Sequence, residues 1–168
     1  MDSRTNTLHG LFSEKASLRP EHICLKFAEH RGLTYREVKD AVDRCAAHVV
    51  VLDSDVIAML AHRSYGLMVS LLGILHAGKA YCPIEPDFPP SRVSVMLEVA
   101  DIKHVLMPFS QEITEEMMAV FVGGFERQNS NASTELSGGR TTQVIYIRDD
   151  GSVMDREMGT ATPANASR

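Results

Sequence analysis

Residues 73–80, GILHAGKA, come within one residue of the phosphate-binding pattern G-x-x-x-x-G-K-[ST]. In such a loop, backbone N–H groups and the lysine hold the phosphates, and the hydroxyl after the lysine binds Mg²⁺. Here alanine follows the lysine, and the residues between the two glycines continue an apolar helical stretch. The segment is therefore interpreted as a helix that ends at Gly78, a residue type suited to helix ends.

A second phosphate-loop candidate is the segment SGGRTT, residues 137–142. Its glycines, its hydroxyl groups and the charge of Arg140 are suited to cradling a phosphate. However, no strand pattern precedes the segment and no clear helix pattern follows it. Its composition favours a flexible linker instead.

The remaining reactive side chains form no recognisable catalytic or metal-binding pattern. The seven histidines lack the i,i+4 pairing and the carboxylate neighbours of a metal site, and G-x-S-x-G is absent from the sequence. We interpret the acidic residues near the fourth and fifth predicted helices as solvated charges, and Met117 and Met118 as packing residues. The sequence therefore assigns no catalytic, cofactor-binding or metal-binding residue. The histidines stand at 9, 22, 30, 48, 62, 76 and 104, and the acidic residues are Glu98, Asp101, Glu112, Glu115 and Glu116.

The composition is typical of a soluble globular protein, with 44% hydrophobic and 23% charged residues among 168. A net charge of −5 argues against nucleic acid as a partner. No apolar run reaches the ~18 residues of a membrane span, and the N-terminus lacks the apolar core of a signal peptide. Cys24, Cys45 and Cys82 are too few and too widely spaced for a disulfide framework or a zinc site, and resemble small buried apolar residues. We therefore expect a cytoplasmic protein that does not enter a membrane.

Local signals predict the elements of the first fifty residues. Leu8, Leu11 and Phe12 give residues 7–17 the spacing of a short amphipathic helix. The apolar run at 23–28 is expected to pair with residues 33–35 as a hairpin. Thr34 and Glu37 form a capping box, which predicts the start of a four-turn helix. The 3.6-residue period predicts that its inner face is Val38, Ala41, Val42, Cys45, Ala46 and Val49.

Strand and helix patterns alternate from residue 55 to 107. The run DVIAMLA is apolar without alternation, as in a strand covered on both faces. Ser64 can cap an apolar helix, which is followed by the strand AYC that runs into Pro83. Ser91 can cap another helix, and KHVLM at 103–107 is a further strand. This order predicts an α/β fold: a partial three-layer structure with a parallel sheet and helices on both faces.

The character of the chain changes after residue 110. One more helix pattern is followed by a stretch rich in Gly, Ser, Asn and Thr, and then by a hairpin pattern around Gly151. We expect a compact region over 1–110, a helix and linker over 111–143, and a loosely attached hairpin with a disordered tail over 144–168.

Two segments carry a family resemblance: LTYREV at 33–38 and LHAGKAYCPIEPDFPPSR at 75–92. They resemble the first two core motifs of the adenylate-forming (AMP-binding) enzymes, which include acyl-CoA synthetases, luciferases and the adenylation domains of nonribosomal peptide synthetases. The family patterns resemble L-[TS]-Y-x-E-L and [LI]-K-A-G-x-A-Y-[VL]-P-[IL]-D-P-x-[YF]-P. The loop PIEPDFPPS resembles that of the beta-alanine-activating enzymes, also called aminoadipate-semialdehyde dehydrogenases. The departures from the patterns are Val38, His76, Cys82 and Glu85.

The resemblance implies that residues 1–110 are a truncated adenylation region and that both motifs are architectural. Members of the family join a carboxylate to ATP with Mg²⁺, using a phosphate loop that resembles Y-T-S-G-[ST]-T-G-x-P-K-G. The segment 144–146 is similar to the strand that leads into this loop, but Ile-Arg-Asp-Asp follows at 147–150. Carboxylates at Asp149 and Asp150 would repel a triphosphate. No functional residue is carried over, so the resemblance implies a chain that binds neither ATP nor Mg²⁺ and does not catalyse alone.

Two alternatives remain open at this stage. The chain could serve as a non-catalytic interaction module that binds a protein partner or itself, because an unfinished α/β layer exposes apolar surface and an open sheet edge. Alternatively, residues 110–168 have no selected role.

Overall fold

The computed structural model describes residues 7–27, 31–109, 111–122 and 142–154. Within these ranges the chain forms five α-helices and seven β-strands. In chain order they are α1 Leu8–Leu18, β1 Ile23–Leu25, β2 Leu33–Thr34, α2 Tyr35–Val49, β3 Val56–Leu60, α3 Tyr65–His76, β4 Ala80–Ile84, α4 Pro90–Val99, β5 His104–Pro108, α5 Glu115–Val122, β6 Gln143–Ile147 and β7 Val153–Met154.

Five of the strands form one sheet in the order β4-β3-β5-β6-β7. The first four are parallel, and β7 joins β6 in the antiparallel direction. The chain leaves β3 through α3 to reach β4, and then returns through α4 to β5 on the other side of β3. The predicted parallel α/β architecture is confirmed.

Helices cover both faces of this sheet. Along β3, Ile57 and Met59 pack with α2 and α3, whereas Ala58 and Leu60 pack with α4 and α5. Both sets are buried, which explains why the strand is apolar without alternation. The three layers expected from the sequence are therefore present. The first core contains Ala41, Cys45, Val49, Ile57, Met59, Val69, Ile74, Leu106, Ile145 and Ile147. The second contains Ala58, Leu60, Ile84, Val93, Leu97, Ile102, Val105, Met107, Met117, Val120 and Phe121.

The capping box that starts α2 is formed as predicted. The Thr34 hydroxyl oxygen accepts a hydrogen bond from the Glu37 N–H at 3.2 Å, and the Glu37 carboxylate accepts one from the Thr34 N–H at 2.8 Å. The Thr34 N–H, together with the Arg31 guanidinium, lowers the pKa of Glu37. The residues that α2 buries are the six predicted from the helical period.

Helix α1 and the hairpin of β1 with β2 are also present. The two leucines that contribute to the amphipathic spacing of α1 are not its packing face, because Leu8 and Leu11 are 57% and 48% exposed. Ala16 is buried instead, and the Phe12 ring lies 6.0 Å from that of Tyr35. The helix therefore packs through the face that carries Phe12 and Ala16. The spacing of the leucines alone did not indicate which face packs.

Helix α4 begins without the predicted cap. It starts at Pro90 with Pro89 as the N-cap residue, and no side chain caps it, so the prediction that Ser91 does so is wrong. A proline at the first helical position has no N–H that needs a partner, and its φ already suits the helix. The helix therefore starts one residue before the serine.

The hairpin predicted after residue 143 is formed by β6 and β7. It is not loosely attached, because β6 pairs with β5 at five positions and buries Ile145 and Ile147. The pairing of β6 with a strand from the compact region makes residues 142–154 part of the main sheet. Of the linker expected at 123–143, residues 123–141 lie outside the described residues, whereas Thr142 is buried and Gln143 begins β6. The tail expected at 156–168 also lies outside the described residues. The domain boundaries at 110 and 143 stay a prediction.

Candidate functional site

The segment that resembles a phosphate loop is a helix end, as predicted. Helix α3 runs through His76, and Gly78 follows with φ +75°. The Lys79 ammonium donates hydrogen bonds to the carbonyl oxygens of Leu52 and Ser54, at 2.8 and 2.7 Å. Lys79 therefore fastens the loop before β3 to the start of β4. Of the second candidate, residues 137–141 are not described, and Thr142 is buried at the start of β6.

The topology places a candidate site at the carboxyl ends of β3 and β5. In open α/β sheets, ligands bind where the connections from neighbouring strands leave toward opposite faces. Here β3 continues toward α3 on one face, and β5 continues toward α5 on the other. The carboxyl end of β6 lies beside them, so the residues that follow β6 also border this point.

A carboxylate from the chain itself occupies this point. Asp149 follows β6, and its Oδ1 accepts a hydrogen bond from the Gly66 N–H at 3.1 Å. The next amide of α3, Leu67 N–H, donates to the Ser64 hydroxyl oxygen at 3.1 Å. Pro108 closes the other side, because its Cβ would lie 3.2 Å from a Cβ at Gly66. The N-terminus of α3, which carries partial positive charge, is thus already bound to an anion.

The turn that carries Asp149 is fixed against α2. The Asp150 carboxylate accepts hydrogen bonds from the hydroxyl and the N–H of Ser152, which lower the pKa of Asp150. The Arg44 guanidinium donates to the Asp150 carbonyl oxygen at 2.7 Å. Gly151 has φ +77°, and a Cβ there would lie 1.9 Å from the carbonyl oxygen of Ala41. Only glycine fits at this contact.

A cleft of about 470 Å³ lies beside the turn. Its lining contains four carboxylates and two guanidinium groups, and one of each forms the Arg31–Glu37 ion pair at 2.6 Å. The Tyr65 hydroxyl donates to the Arg31 carbonyl oxygen at 2.5 Å. Because carboxylates outnumber cations, the cleft suits a cationic or zwitterionic group better than a polyphosphate. The lining residues are Arg31, Leu33, Glu37, Asp40, Arg44, Tyr65, Asp149 and Asp150.

The acidic side chains, Met117 and Cys45 occupy the environments expected of them, whereas Cys24 and Cys82 are less buried than expected. Glu98, Asp101, Glu112, Glu115 and Glu116 are exposed, and Met117 is buried in the core. Burial raises the pKa of the Cys45 thiol to about 12. Burial also raises the pKa of Cys24 and of Cys82, although both are only half-buried.

Three of the histidines have a structural environment that the sequence did not indicate. The His104 Nδ1 lies 2.9 Å from the Ser54 hydroxyl, and burial, together with Lys103 and Lys79, lowers the pKa of His104. The His9 and His76 rings meet edge to face, with their centroids 5.9 Å apart. In the described part of the chain, no three His, Cys, Asp or Glu side chains are grouped to hold a metal ion. Nor does that part contain a helix of the length and apolar character needed to cross a bilayer.

Sequence reasoning missed the contacts that position the turn, namely Asp149 on Gly66 and Gly151 on Ala41. The Asp-Asp-Gly order indicates a turn, but nothing local to it indicates which helices the turn contacts. Gly66 lies 83 residues before Asp149 in the chain, and Arg44 lies 106 residues before Asp150.

Comparisons with known proteins match this architecture. The family described as "AMP-binding enzyme" matches residues 12–166. A plipastatin synthase of Bacillus subtilis (strain 168) is 32% identical over 150 residues, which cover 83% of this chain and 6% of that protein. Bacitracin synthase 3 of Bacillus licheniformis is 34% identical over 163 residues, which cover 91% of this chain and 2% of that protein.

Solved structures share the fold. The nonribosomal peptide synthetase FmoA3, in its alpha-methyl-L-serine-AMP bound form, has a TM-score of 0.59 at 23% identity, covering 93% of this chain and 15% of that chain. IdnL7 has a TM-score of 0.58 at 22% identity, covering 70% of this chain and 22% of that chain. At this level of identity the likeness concerns the fold alone.

The chain spans only a small part of the curated relatives it matches, 6% or less of the length of these two synthases. The match to the AMP-binding family nevertheless covers most of this chain, from the middle of α1 into the residues after β7. The three-layer parallel fold, the two N-terminal motifs and this match agree: the chain belongs to the AMP-binding enzyme family.

Proposed function

We propose that this chain is the N-terminal part of an ATP-dependent ligase that activates an amino acid as its adenylate. The match to the AMP-binding family supports the reaction class, and the relatives named as plipastatin and bacitracin synthases support amino acids as the substrates. The loop at 83–91, PIEPDFPPS, supports beta-alanine as the substrate of the complete ligase.

We infer further that the 168-residue chain does not catalyse by itself. One observation carries this inference: Arg-Asp-Asp-Gly follows β6 where the resemblance places the phosphate loop. The Asp149 carboxylate accepts a hydrogen bond from the Gly66 N–H, and the neighbouring cleft is rich in carboxylates. A triphosphate at this turn would meet negative charge without the lysine that neutralises it in phosphate loops.

The test is ATP–pyrophosphate exchange by the purified full chain, with beta-alanine and a panel of other amino acids, alongside a complete ligase as the positive control. We expect no exchange above the enzyme-free rate with the chain and no measurable ATP binding by calorimetry. Exchange that depends on an added amino acid would contradict the inactivity. The substrate is tested separately in the complete ligase, where exchange slower with beta-alanine than with another amino acid would contradict the assignment.

A second candidate function is a non-catalytic interaction module, as an isoform of such a ligase. This function is favoured by the apolar residues that α1 leaves exposed. Leu8, Leu11 and Leu18 are 48% to 65% exposed and lie on one side of the helix. Replacing all three by glutamine should abolish binding of the chain to a complete ligase if α1 is the binding surface. Unchanged binding in a pull-down would contradict this function for α1.

We also propose that the protein resides in the cytoplasm and does not bind nucleic acid. The absence of a spanning helix from the described residues and the net charge of −5 support this. Cell fractionation and a filter-binding assay with duplex DNA test the two statements.

A further inference from the structure

Strand β4 forms one edge of the main sheet. It pairs with β3 at five positions, and no second neighbour lies beside it among the described residues. The opposite edge is β7, which has only two residues. Strand β4 is therefore the longer of the two edges that could accept another strand.

The hydrogen bonds at the two ends of β4 show which residues direct their backbone N–H and C=O groups toward β3 and which direct them outward. The Ala80 N–H donates to the Asp55 carbonyl oxygen at 2.9 Å, and the Ile84 carbonyl oxygen accepts from the Ala61 N–H at 2.8 Å. In a strand, the N–H and C=O of one residue point to the same side, and successive residues alternate. Residues 80, 82 and 84 therefore bond toward β3, and Tyr81 and Pro83 direct their backbone groups toward the open edge.

Proline has no N–H, so only Tyr81 can donate from the outer side of β4. Pro83 is exposed, and its ring carbon takes the place of the N–H that would otherwise face an added strand. We propose that Pro83 closes this edge to a second copy of the chain, so that the β4 edge is not a self-association surface. The inference is independent of the ligase function, because it concerns only backbone donors and strand order.

The direct test replaces Pro83 with alanine, which restores the missing donor in the full-length chain. Sedimentation velocity should show a P83A mass that rises toward twice that of the chain with concentration, while the unaltered chain stays monomeric. Pro89→Ala is the matched control, because Pro89 is also exposed but lies outside the strands. A P83A variant that is folded by circular dichroism and remains monomeric at every concentration would overturn the proposal.

A second substitution tests whether the association uses this edge. In the P83A background, Tyr81→Lys places a charge beside the outer donor and should return the protein to a monomer. A double variant that associates as strongly as P83A would show that another surface is responsible and would overturn the proposal.

Amide exchange in the unaltered chain does not depend on the folding of any variant. The Tyr81 N–H should exchange at least about tenfold faster than those of Cys82 and Ile84, because it points away from β3. Equal protection of the Tyr81 and Cys82 amides would mean that the outer side of β4 is already paired, and would overturn the proposal.

Discussion

The Asp149 carboxylate accepts a hydrogen bond from the Gly66 N–H and so joins the β6–β7 turn to the first turn of α3. This one contact connects the turn after β6 to the helix that links β3 to β4 in the chain. The carboxylate acts as a second cap, because Ser64 already accepts from the next amide of the same helix.

Removal of this second cap should lower the free energy of unfolding. Asp149→Ala leaves the Gly66 N–H without its acceptor, and we expect a loss of about 1 kcal/mol in urea denaturation. Asp149→Asn keeps an acceptor oxygen and should lose less. Asp40→Ala is the matched control, since Asp40 lines the same cleft but forms no cap. Equal losses for the Asp149 and Asp40 variants would contradict the capping role.

Gly151→Ala should be far more destabilising than Gly78→Ala. Both glycines have positive φ, +77° and +75°, so the backbone strain is matched. At Gly78 an added Cβ would have no atom within 4 Å apart from its own chain neighbours, whereas at Gly151 the Cβ would lie 1.9 Å from the Ala41 carbonyl oxygen. We expect a loss of about 1 kcal/mol at Gly78 and about 3 kcal/mol or more at Gly151 in thermal or urea unfolding. Similar losses would show that the turn does not contact α2 in solution.

Gly73→Ala tests the contact between α2 and α3. An added Cβ at Gly73 would lie 2.6 Å from the Cys45 sulfur, so we expect a net loss of about 1–2 kcal/mol despite the better helix propensity of alanine. In a Cys45→Ala background the sulfur is gone and only the contact with the Cys45 Cβ position, at 2.9 Å, remains, so the same change should cost about 1 kcal/mol less. A Cys82→Ala background is the control, because Cys82 packs in the other core. Equal costs in the two backgrounds would argue against the clash.

The stability of the protein should fall as the pH drops below the ordinary pKa of histidine. Burial, Lys103 and Lys79 lower the pKa of His104 in the folded state, so the unfolded chain binds a proton first. The stabilisation is present above about pH 6.5 and is lost as the pH falls toward the folded pKa. His104→Asn should reduce the decrease in unfolding free energy between about pH 7.5 and 5.5. A decrease unaltered by this substitution would assign the effect to other groups.

Local signals were sufficient for the parts of the fold that depend on neighbouring residues. The Thr34–Glu37 box and the 3.6-residue period gave the start and the buried face of α2, because the atoms involved lie within one helix. The same holds for residues 73–80, where continuous apolar residues identified a helix end despite the resemblance to a phosphate loop.

The rest required contacts between distant residues. Pairing of β6 with β5 joins segments that are separated by more than thirty residues, so the hairpin was expected to be marginal and loosely attached. The candidate site depends on the same pairing, since it carries Asp149 to Gly66. At α4 the error was local: Ser91 matched a cap preference, but Pro90 already suited the first helical position.

The close contact of Gly151 with the Ala41 backbone affects how the protein folds during its synthesis. A ribosome releases the chain from its N-terminus, so α2 emerges long before the turn that contacts it. Until residues 143–147 have been synthesised and have left the ribosome, the nascent sheet lacks β6, and the side of β5 that will pair with it has no partner strand. Early chaperone contact would therefore be most useful to this protein during the translation of the stretch between α5 and β6.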